Sequence, residues 1–300
     1  MLIHLYRPAT LLQVTGEDAA TFLQGQFTNE LRQPEGAAVY GLWLNQKGKV
    51  LADSHVLKLA ENEFRLASTT SAVTAIQPRL EEYIVADDVK LTDETAQVHG
   101  LAVLGPHGGE FIRQLLGAAP PPGQFARSDG VWVFAGRRVR AENFELIGPE
   151  NRIADTKQQL LALGGRAVNA GEMEFARIAD GLPVIPGDIG QADLPNEGGL
   201  EDAAISFTKG CYLGQEVMAR LKNMGQIRRR LHVVQGTGAL PPALASLYQG
   251  GRKVGQIRSI ANRGNEFVAL AMLSLVNLEP TVGLSLASDA APTVKIISHG

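Results

Sequence analysis

The strongest chemical signal in the sequence is the octet Lys-Gly-Cys-Tyr-Leu-Gly-Gln-Glu at residues 209–216, which contains the only cysteine of the chain, Cys211. Lys209 lies two residues before this thiol, and the apolar spacing predicts a helix from Leu213 to Lys222 directly after it. A thiol beside a cation and a helix N-terminus ionises more readily than a free thiol. We therefore predict that Cys211 is the functional thiol. The alternative is a buried, inert cysteine that fills a gap.

The other polar members of the octet are expected to support this thiol. Lys209 supplies electropositive surroundings, so it is predicted to act with Cys211 as a catalytic residue. Tyr212, Gln215 and Glu216 are expected to orient the loop.

Two residues outside the octet are candidates for polar chemistry. Asp53 lies on a predicted β-meander and is the third predicted catalytic residue; the alternative is a solvated carboxylate after a strand. Arg177 is a planar, bidentate donor that suits the carboxylate of a ligand. It could equally pair with Glu174 or Asp180 on its own predicted helix.

A basic run between residues 220 and 230 is the best candidate for a surface that faces RNA. Aromatic side chains do not interleave it, so it lacks the usual platform for base stacking. We therefore favour a solvated edge between two domains, and we expect no direct nucleic-acid binding.

Composition excludes several classes of function. Twenty-eight Lys and Arg against 31 Asp and Glu give a net charge of −3, which excludes a whole-molecule positive field. One cysteine excludes an internal disulfide framework and any metal cage built from this chain's own thiolates. The common hydrolase, nucleotide-binding and zinc-protease motifs are missing, and no permanent metal site is predicted.

Several further segments accompany the octet and share a family pattern with it. Together they resemble the folate-binding YgfZ family, relatives of the glycine-cleavage T-protein (aminomethyltransferase), over nearly the whole chain. These segments are a first helix at 16–31, a meander turn at 44–53, a long loop at 177–197, and the barrel entry at 228–231 and 254–257.

This resemblance implies an α+β, aminomethyltransferase-like folate-binding fold, with ferredoxin-like mixed layers around a central channel and a small C-terminal β-barrel. It implies that tetrahydrofolate or another folate is the cofactor, with no permanently bound metal. It also implies that iron–sulfur proteins or cluster carriers are partners and that tRNA-modifying enzymes are among the clients. The residues expected to contact the folate are Arg177, Asn29, Tyr212, Gln215 and Glu216.

Two positions depart from the T-protein pattern. Ala52 replaces the neighbour of the surviving carboxylate Asp53, and Ala179 stands where the family places a pterin-binding glutamate. We therefore favour a folate-linked accessory factor for iron–sulfur cluster assembly or repair that acts through Cys211. The alternatives are a tetrahydrofolate-dependent aminomethyl or methyl transferase that uses Asp53, and a non-catalytic protein that holds folate for structure. The sequence assigns no enzyme class.

The elements that must position these residues alternate between helices and strands. Thr15 and Asp18 have capping-box spacing for a first helix that extends towards Leu31. A β-meander follows at 37–59, and residues 182–203 lack any secondary-structure period. The predicted folate-binding region is 1–230, with a subdomain at 37–96 inserted between 1–36 and 97–230, and the barrel is 231–300. Because the sequence contains neither a leader pattern nor a membrane-spanning run, we expect a cytoplasmic protein with no membrane partner.

Overall fold

A computed structural model describes residues 1–276 and 278–297 of the chain. Its strands are β1 (Leu2–Tyr6), β2 (Thr10–Thr15), β3 (Ala38–Leu44), β4 (Val50–Ala60), β5 (Glu63–Ser68), β6 (Lys90–Asp93), β7 (His99–Leu104), β8 (Phe125–Ser128), β9 (Val131–Ala135), β10 (Asn143–Gly148), β11 (Arg166–Ala167), β12 (Arg229–Thr237), β13 (Ser246–Gln249), β14 (Arg252–Arg263), β15 (Glu266–Ser274) and β16 (Val294–Ile297). Its helices are α1 (Ala19–Gln26), α2 (Val73–Glu81), α3 (Gly108–Leu116), α4 (Glu150–Ala162), α5 (Ala170–Ala179), α6 (Glu201–Ala204) and α7 (Gln215–Met224). Among the residues described, no helix is both long enough and apolar enough to cross a bilayer.

The predicted meander forms the middle of a sheet with strand order β3-β4-β5-β2-β6. Its apolar side chains alternate along the strands, and those on one face pack against α1 and α2. Phe27 and Trp43 are completely buried in this core, with ring centroids 4.8 Å apart. This packing fixes the C-terminal end of α1 above the end of β3.

A second sheet has the order β11-β1-β7-β10-β9-β8. β1 pairs with β11 in parallel, and the other neighbours are antiparallel. Helices α3 and α4 contact this sheet through β10 and β7, so the predicted mixed layers are confirmed. The short strand β8, which the sequence pattern did not indicate, adds an edge.

The third sheet is antiparallel and curled, with the order β13-β14-β15-β12-β16. Its two edge strands are linked through one short segment, because Ser285 bridges to Tyr248 on β13 and Leu284 bridges to Val294 on β16. Helix α5 packs across β14 and β15. This is the predicted C-terminal barrel. The exact division at residue 230 stays a prediction, and the last three residues of the predicted barrel domain lie outside the described residues.

The long segment after α5 is held in place by buried charges rather than by regular structure. It contains a 3-10 turn at Pro195–Gly198 and the short helix α6. Arg229 on β12 donates to Asp193 at 3.0 Å and to Glu197 at 2.6 Å, and Arg258 donates to Asp193 at 3.1 Å. These ion pairs tie the segment to the barrel, so it can serve as a firm wall for a cavity.

Two predicted helix starts are wrong. Helix α1 does not use the Thr15 capping box; Asp18 precedes the helix, and its carboxylate accepts the backbone N–H of Asp88 at 2.8 Å instead. The same helix ends at Gln26, short of Leu31. Helix α7 begins at Gln215 rather than Leu213, after Gly214 with a φ of 87°. Three residues therefore separate Cys211 from the first residue of α7.

Gly214 is expected not to tolerate a side chain, both because of its backbone angle and because another part of the chain approaches it closely. An added Cβ would lie 2.9 Å from the Asn45 carbonyl oxygen, whereas at Gly36, which has the same φ of +87°, it would meet nothing within 4 Å. Gly36→Ala should cost about 1 kcal/mol for the left-handed backbone alone. Gly214→Ala should cost at least about 1 kcal/mol more in urea unfolding. Equal losses for the two variants would contradict this packing of the octet against the meander turn.

Candidate functional site

The octet loop closes the C-terminal end of α1. A helix leaves its last four carbonyl groups without intrahelical partners. Here the Lys209 ammonium donates to the Gln24 carbonyl at 2.8 Å, and the backbone N–H of Leu213 donates to the Gly25 carbonyl at 3.2 Å. The side chain of Arg79 donates to the Gln26 side chain at 2.6 Å. The loop is thus anchored to a helix that lies far away in sequence.

The Lys209 ammonium is almost fully committed to this anchoring role. It also donates to the carbonyls of Phe27 at 2.6 Å and Asn29 at 2.9 Å, so three acceptors match its three N–H groups. Burial lowers the pKa of Lys209 to about 8, which leaves the ammonium form in excess at pH 7. The geometry makes Lys209 a positioning residue for the loop; its predicted catalytic role stays a prediction.

Cys211 is exposed, in contrast to the alternative of a buried gap filler. It lies at a pocket of about 310 Å³, which we call the thiol pocket, whose other wall is the outer face of α1. Arg32 and Lys58 also line this pocket. The electropositive surroundings predicted for the thiol therefore include Arg32 and Lys58, while Lys209 faces inwards.

The remaining octet residues have different settings. Tyr212 is buried among apolar side chains, its ring lies 5.2 Å from the Lys209 nitrogen, and burial raises its pKa to about 12. Gln215 is half-buried in the first turn of α7, where its backbone N–H donates to the Tyr212 carbonyl. Glu216 is exposed in the same turn. Their predicted contacts with a folate stay predictions.

Asp53 lies in a separate, small cavity of about 60 Å³, which we call the Asp53 cavity. Its carboxylate accepts hydrogen bonds from Ser71 Oγ at 2.6 Å, Ser68 Oγ at 3.1 Å and the Tyr40 hydroxyl at 3.1 Å. The solvated carboxylate considered as an alternative is therefore wrong. Tyr40, Asp53 and Ser68 come from the neighbouring strands β3, β4 and β5, and Ser71 lies in the turn between β5 and α2.

The pKa values of Asp53 and His55 are both shifted in the Asp53 cavity. Burial raises the pKa of Asp53, although its three hydroxyl donors and Arg137 oppose that rise. Burial and the Arg137 charge lower the pKa of His55 to about 3, so this imidazole is neutral at pH 7. The Arg137 guanidinium lies 4.0 Å above the Tyr40 ring. A carboxyl group with a raised pKa beside a neutral imidazole is suited to proton transfer.

Two of the five residues expected to contact a folate, Arg177 and Asn29, are engaged by the protein itself. Arg177 donates to Glu174 at 2.9 Å, to the buried Asp188 at 2.7 Å and to the Leu182 carbonyl. The Asn29 amide donates to the Tyr40 carbonyl at 2.9 Å. Pairing of Arg177 with Glu174 on its own helix was the alternative left open by the sequence.

The structure does not bring Asp53 and Cys211 together. Over the described part of the chain, the Asp53 cavity and the thiol pocket share no lining residue. The sequence did not indicate Arg32, Lys58 or Arg137, because each comes from a segment remote from the residue it surrounds. His55 was also not indicated, although it lies two residues after Asp53 on β4. The only available signal was the alternation along β4, which places Asp53 and His55 on one face.

The residues around Asp53 do not fit a folate in this conformation. The space of about 60 Å³ directly around Asp53 holds a few water molecules but not a bicyclic pterin ring, and it adjoins a cavity of about 590 Å³ with which it shares Arg137, Leu182 and Pro183. Ala179 cannot accept hydrogen bonds from pterin N–H groups, and Arg177 is engaged. Across the described residues, no group of three or more His, Cys, Asp or Glu side chains is placed to hold a metal ion.

Comparison with known protein families gives two matches, each to a different part of the chain. Residues 9–209 match the family model described as GCVT N-terminal domain. Residues 228–297 match the model described as CAF17, C-terminal beta-barrel domain.

Curated relatives and solved structures extend these matches. The iron-sulfur cluster assembly factor IBA57, mitochondrial, of Homo sapiens is 33% identical over 289 residues, which are 88% of this chain and 75% of the relative. The tRNA-modifying protein YgfZ of Colwellia psychrerythraea is 26% identical over 228 residues, 73% of this chain and 67% of the relative. The glycine cleavage system aminomethyltransferase T from Bartonella henselae superposes with a TM-score of 0.80 at 18% identity, over 94% of this chain and 81% of that chain. The last likeness bears on the fold alone.

The raised pKa of Asp53 predicts a specific pH dependence of stability. The pKa of Asp53 is higher in the folded protein than in the unfolded chain. Its carboxyl group therefore contributes to the stability of the fold at low pH, and this contribution is lost as pH rises through the folded-state pKa. Asp53→Asn removes that loss, so its stability relative to the wild type should improve between pH 4 and pH 8 in urea unfolding. The exposed Asp202→Asn controls for the simple loss of one negative charge. A relative stability of Asp53→Asn that falls or stays flat with pH would refute the assignment.

Proposed function

The chain belongs to the family that joins a GCVT N-terminal domain to a CAF17-type C-terminal β-barrel, and on that premise we propose that it is an accessory factor for iron–sulfur cluster assembly or repair. The names of its relatives support this role, since one is an iron–sulfur cluster assembly factor and another a tRNA-modifying protein. Enzymes that modify tRNA with iron–sulfur clusters are the proposed clients. The human relative is named mitochondrial, and the cytoplasmic location of this chain stays a prediction.

The observation that carries the proposal is the exposed thiol of Cys211 on an anchored loop. One thiolate can attack a partner's sulfur or iron, or bind iron for a short time, but it cannot hold a cluster alone. The cluster is therefore cargo, and its other ligands come from iron–sulfur proteins or cluster carriers. Arg32 and Lys58 beside the thiol favour a negatively charged, thiolate-ligated cluster.

Anchoring gives the thiol a fixed position. Because Lys209 and Leu213 bind the end of α1, Cys211 can be presented without a flexible hinge. Loss of rotational freedom in the free protein lowers the cost of forming a ligand bond with a partner. Within this proposal, Lys209, Tyr212, Gln215 and Glu216 act by holding the loop, and Cys211 makes the contact.

Tetrahydrofolate is the cofactor that the family resemblance implies. Relatives named aminomethyltransferase support it. A firmly held pterin is disfavoured in the described conformation, because the Asp53 cavity is small, Ala179 has no polar side chain and Arg177 is already engaged. The proposed role of Cys211 therefore requires no chemical step on a folate.

A one-carbon transferase that uses Asp53 is the second candidate function. The observation in its favour is a buried carboxyl group with three hydroxyl donors beside a neutral imidazole. The space of about 60 Å³ directly around Asp53 is too small for a donor substrate in this conformation. We give preference to the accessory role for this reason.

Replacement of the thiol should abolish the accessory role without unfolding the protein. In a deletion strain, Cys211→Ser should restore less than about a tenth of the cluster-dependent enzyme activity that wild type restores, because a hydroxyl is a poor ligand for iron and a poor nucleophile at neutral pH. Activities of several cluster enzymes, measured at equal protein levels, provide the readout.

Thr208→Ala is the matched control, since Thr208 is exposed in the same loop and hydrogen-bonds only to the nearby Ser206 hydroxyl among the described residues. It should restore activity as the wild type does. Full restoration by Cys211→Ser would eliminate the thiol from the mechanism.

Folate binding can be measured independently of the thiol. A ligand that binds only the native state raises its melting temperature. Because the Asp53 cavity is too small for a pterin ring, we expect tetrahydrofolate at about 100 μM to raise the melting temperature by less than about 1 °C. A rise of several degrees that Asp53→Asn reduces would establish an opened pterin site and favour the transferase.

A further inference from the structure

The stretch of the chain from residue 217 to residue 265 is strongly basic. It contains nine Lys or Arg residues and no Asp or Glu, although the whole chain has a net charge of −3. Positive charge is therefore concentrated in one continuous part of the sequence. Two of these cations, Arg229 and Arg258, pair with buried carboxylates of the segment after α5, so they hold the fold together.

Five other cations of this stretch are exposed to solvent. In the described part of the chain, the ion pairs of the stretch belong to Arg229 and Arg258 alone, so these five have no carboxylate partner. Their charge is therefore available to another molecule. They are Arg220 and Lys222 on α7, Arg228 just before β12, and Arg252 and Lys253 at the start of β14.

The exposed cations flank two apolar side chains at one end of the barrel. Leu275 and Val276, directly after β15, are 40% and 60% exposed. The backbone N–H of Leu275 donates to the Arg228 carbonyl at 2.8 Å, which places this pair beside the start of β12. On the other side of β15, the paired strand β14 brings Lys253 to the same end.

We call this surface the basic face. Two exposed carboxylates border it, Glu216 on α7 and Glu279, whose backbone N–H donates to the Gln249 side chain. The cations outnumber them, so the surface keeps an excess of positive charge. The residues of the basic face are Arg220, Lys222, Arg228, Arg252, Lys253, Leu275 and Val276.

The basic face is continuous with the thiol loop. Helix α7 begins four residues after Cys211, and its 10 residues span about 15 Å. Lys222 reaches back over Phe207, with its nitrogen 4.1 Å from the ring centroid, and Phe207 lies four residues before Cys211. Arg32 and Lys58 line the thiol pocket beside the same loop. An interface of ordinary size, with about 800 Å² on each partner, can cover the thiol and α7 together.

The side chains of the basic face fit a protein better than a nucleic acid. Proteins that bind single-stranded RNA stack its bases on exposed aromatic rings. Over residues 1–276 and 278–297, no Phe, Tyr or Trp is exposed, and Lys222 covers the half-buried Phe207. Aliphatic side chains surrounded by charged ones are typical of protein interfaces, which have an apolar centre and a polar rim.

We propose that the basic face docks an acidic surface of an iron–sulfur protein and so brings the cluster of that partner to Cys211. The inference rests on the accessory role proposed above and adds the surface and the charge of the partner. Opposite charges speed the encounter of two proteins and fix their relative orientation. Leu275 and Val276 provide the part of the contact that loses its water.

Complementation of the deletion strain tests the basic face separately from the thiol. Arg220→Glu combined with Arg228→Glu, the reversed pair, should restore less than about a third of the cluster-dependent enzyme activity that the wild type restores, because like charges then repel the partner. Arg220→Gln combined with Arg228→Gln removes the attraction without adding repulsion, so it should restore an intermediate activity.

Lys90→Glu combined with Arg113→Glu is the matched control pair. Lys90 on β6 and Arg113 on α3 are exposed and lie outside the basic face, and the control pair makes the same change of net charge. It should restore activity as the wild type does. Both pairs should keep the urea midpoint of the wild type, and iodoacetamide, a neutral reagent, should alkylate Cys211 at a rate within about twofold of the wild type.

Suppressor selection on the reversed pair reports the charge of the partner. Changes of Asp or Glu to Lys or Arg in an iron–sulfur protein should restore the activity that the reversed pair loses, because they recreate opposite charges across the contact. The same changes should give no gain with the wild-type chain.

Three results would overturn the proposal. These are equal restoration by the reversed pair and the control pair, suppressors that never alter a carboxylate of a protein, and wild-type binding of single-stranded RNA below about 1 μM that the reversed pair loses. Failure of the docking surface is distinguishable from failure of the accessory role. If Cys211→Ser does not restore activity but the reversed pair does, only the docking surface is refuted; full restoration by Cys211→Ser refutes the role of the thiol itself.

Discussion

The functional geometry depends on one constraint, the need of α1 for partners at its C-terminal end. That end is enclosed by the meander sheet and the octet loop, so water cannot satisfy all of its carbonyl groups. Lys209 donates to the Gln24 carbonyl inside the last turn and to the carbonyls of Phe27 and Asn29 just after the helix, and a cation is also the charge that the helix dipole favours at this end. Removal of such a buried donor would leave several acceptors without partners at once.

The position of Cys211 follows from this constraint. The octet must pass over the end of α1 for Lys209 to reach inwards, and Gly214 must approach the meander turn closely for α7 to begin. Cys211, which lies between Lys209 and Gly214, faces outwards next to Arg32 and Lys58. The thiol pocket and the Asp53 cavity thus lie apart, which separates the chemistry proposed for the thiol from the carboxyl group of Asp53.

Local signals in the sequence located much of the fold. The meander, the mixed layers, the C-terminal barrel and the exposed thiol loop follow from alternation, turn residues and the octet itself. Long-range partners were not predictable, because Lys209 Nζ binds a carbonyl 185 residues earlier and no local pattern records it. The Thr15 capping box failed for a similar reason, since Asp88 from a remote turn engages Asp18. Arg177 was predicted as a ligand clamp, yet the structure engages it with Glu174 and Asp188.

The free energy of unfolding of Lys209→Met tests the central claim most directly. Methionine keeps much of the side-chain volume but offers no N–H group, so the carbonyls of Gln24, Phe27 and Asn29 lose their shared donor. The account predicts a loss of at least about 3 kcal/mol in urea unfolding at pH 7. A variant within about 0.5 kcal/mol of the wild type would contradict it, because such a value is typical of surface substitutions that break no buried contact.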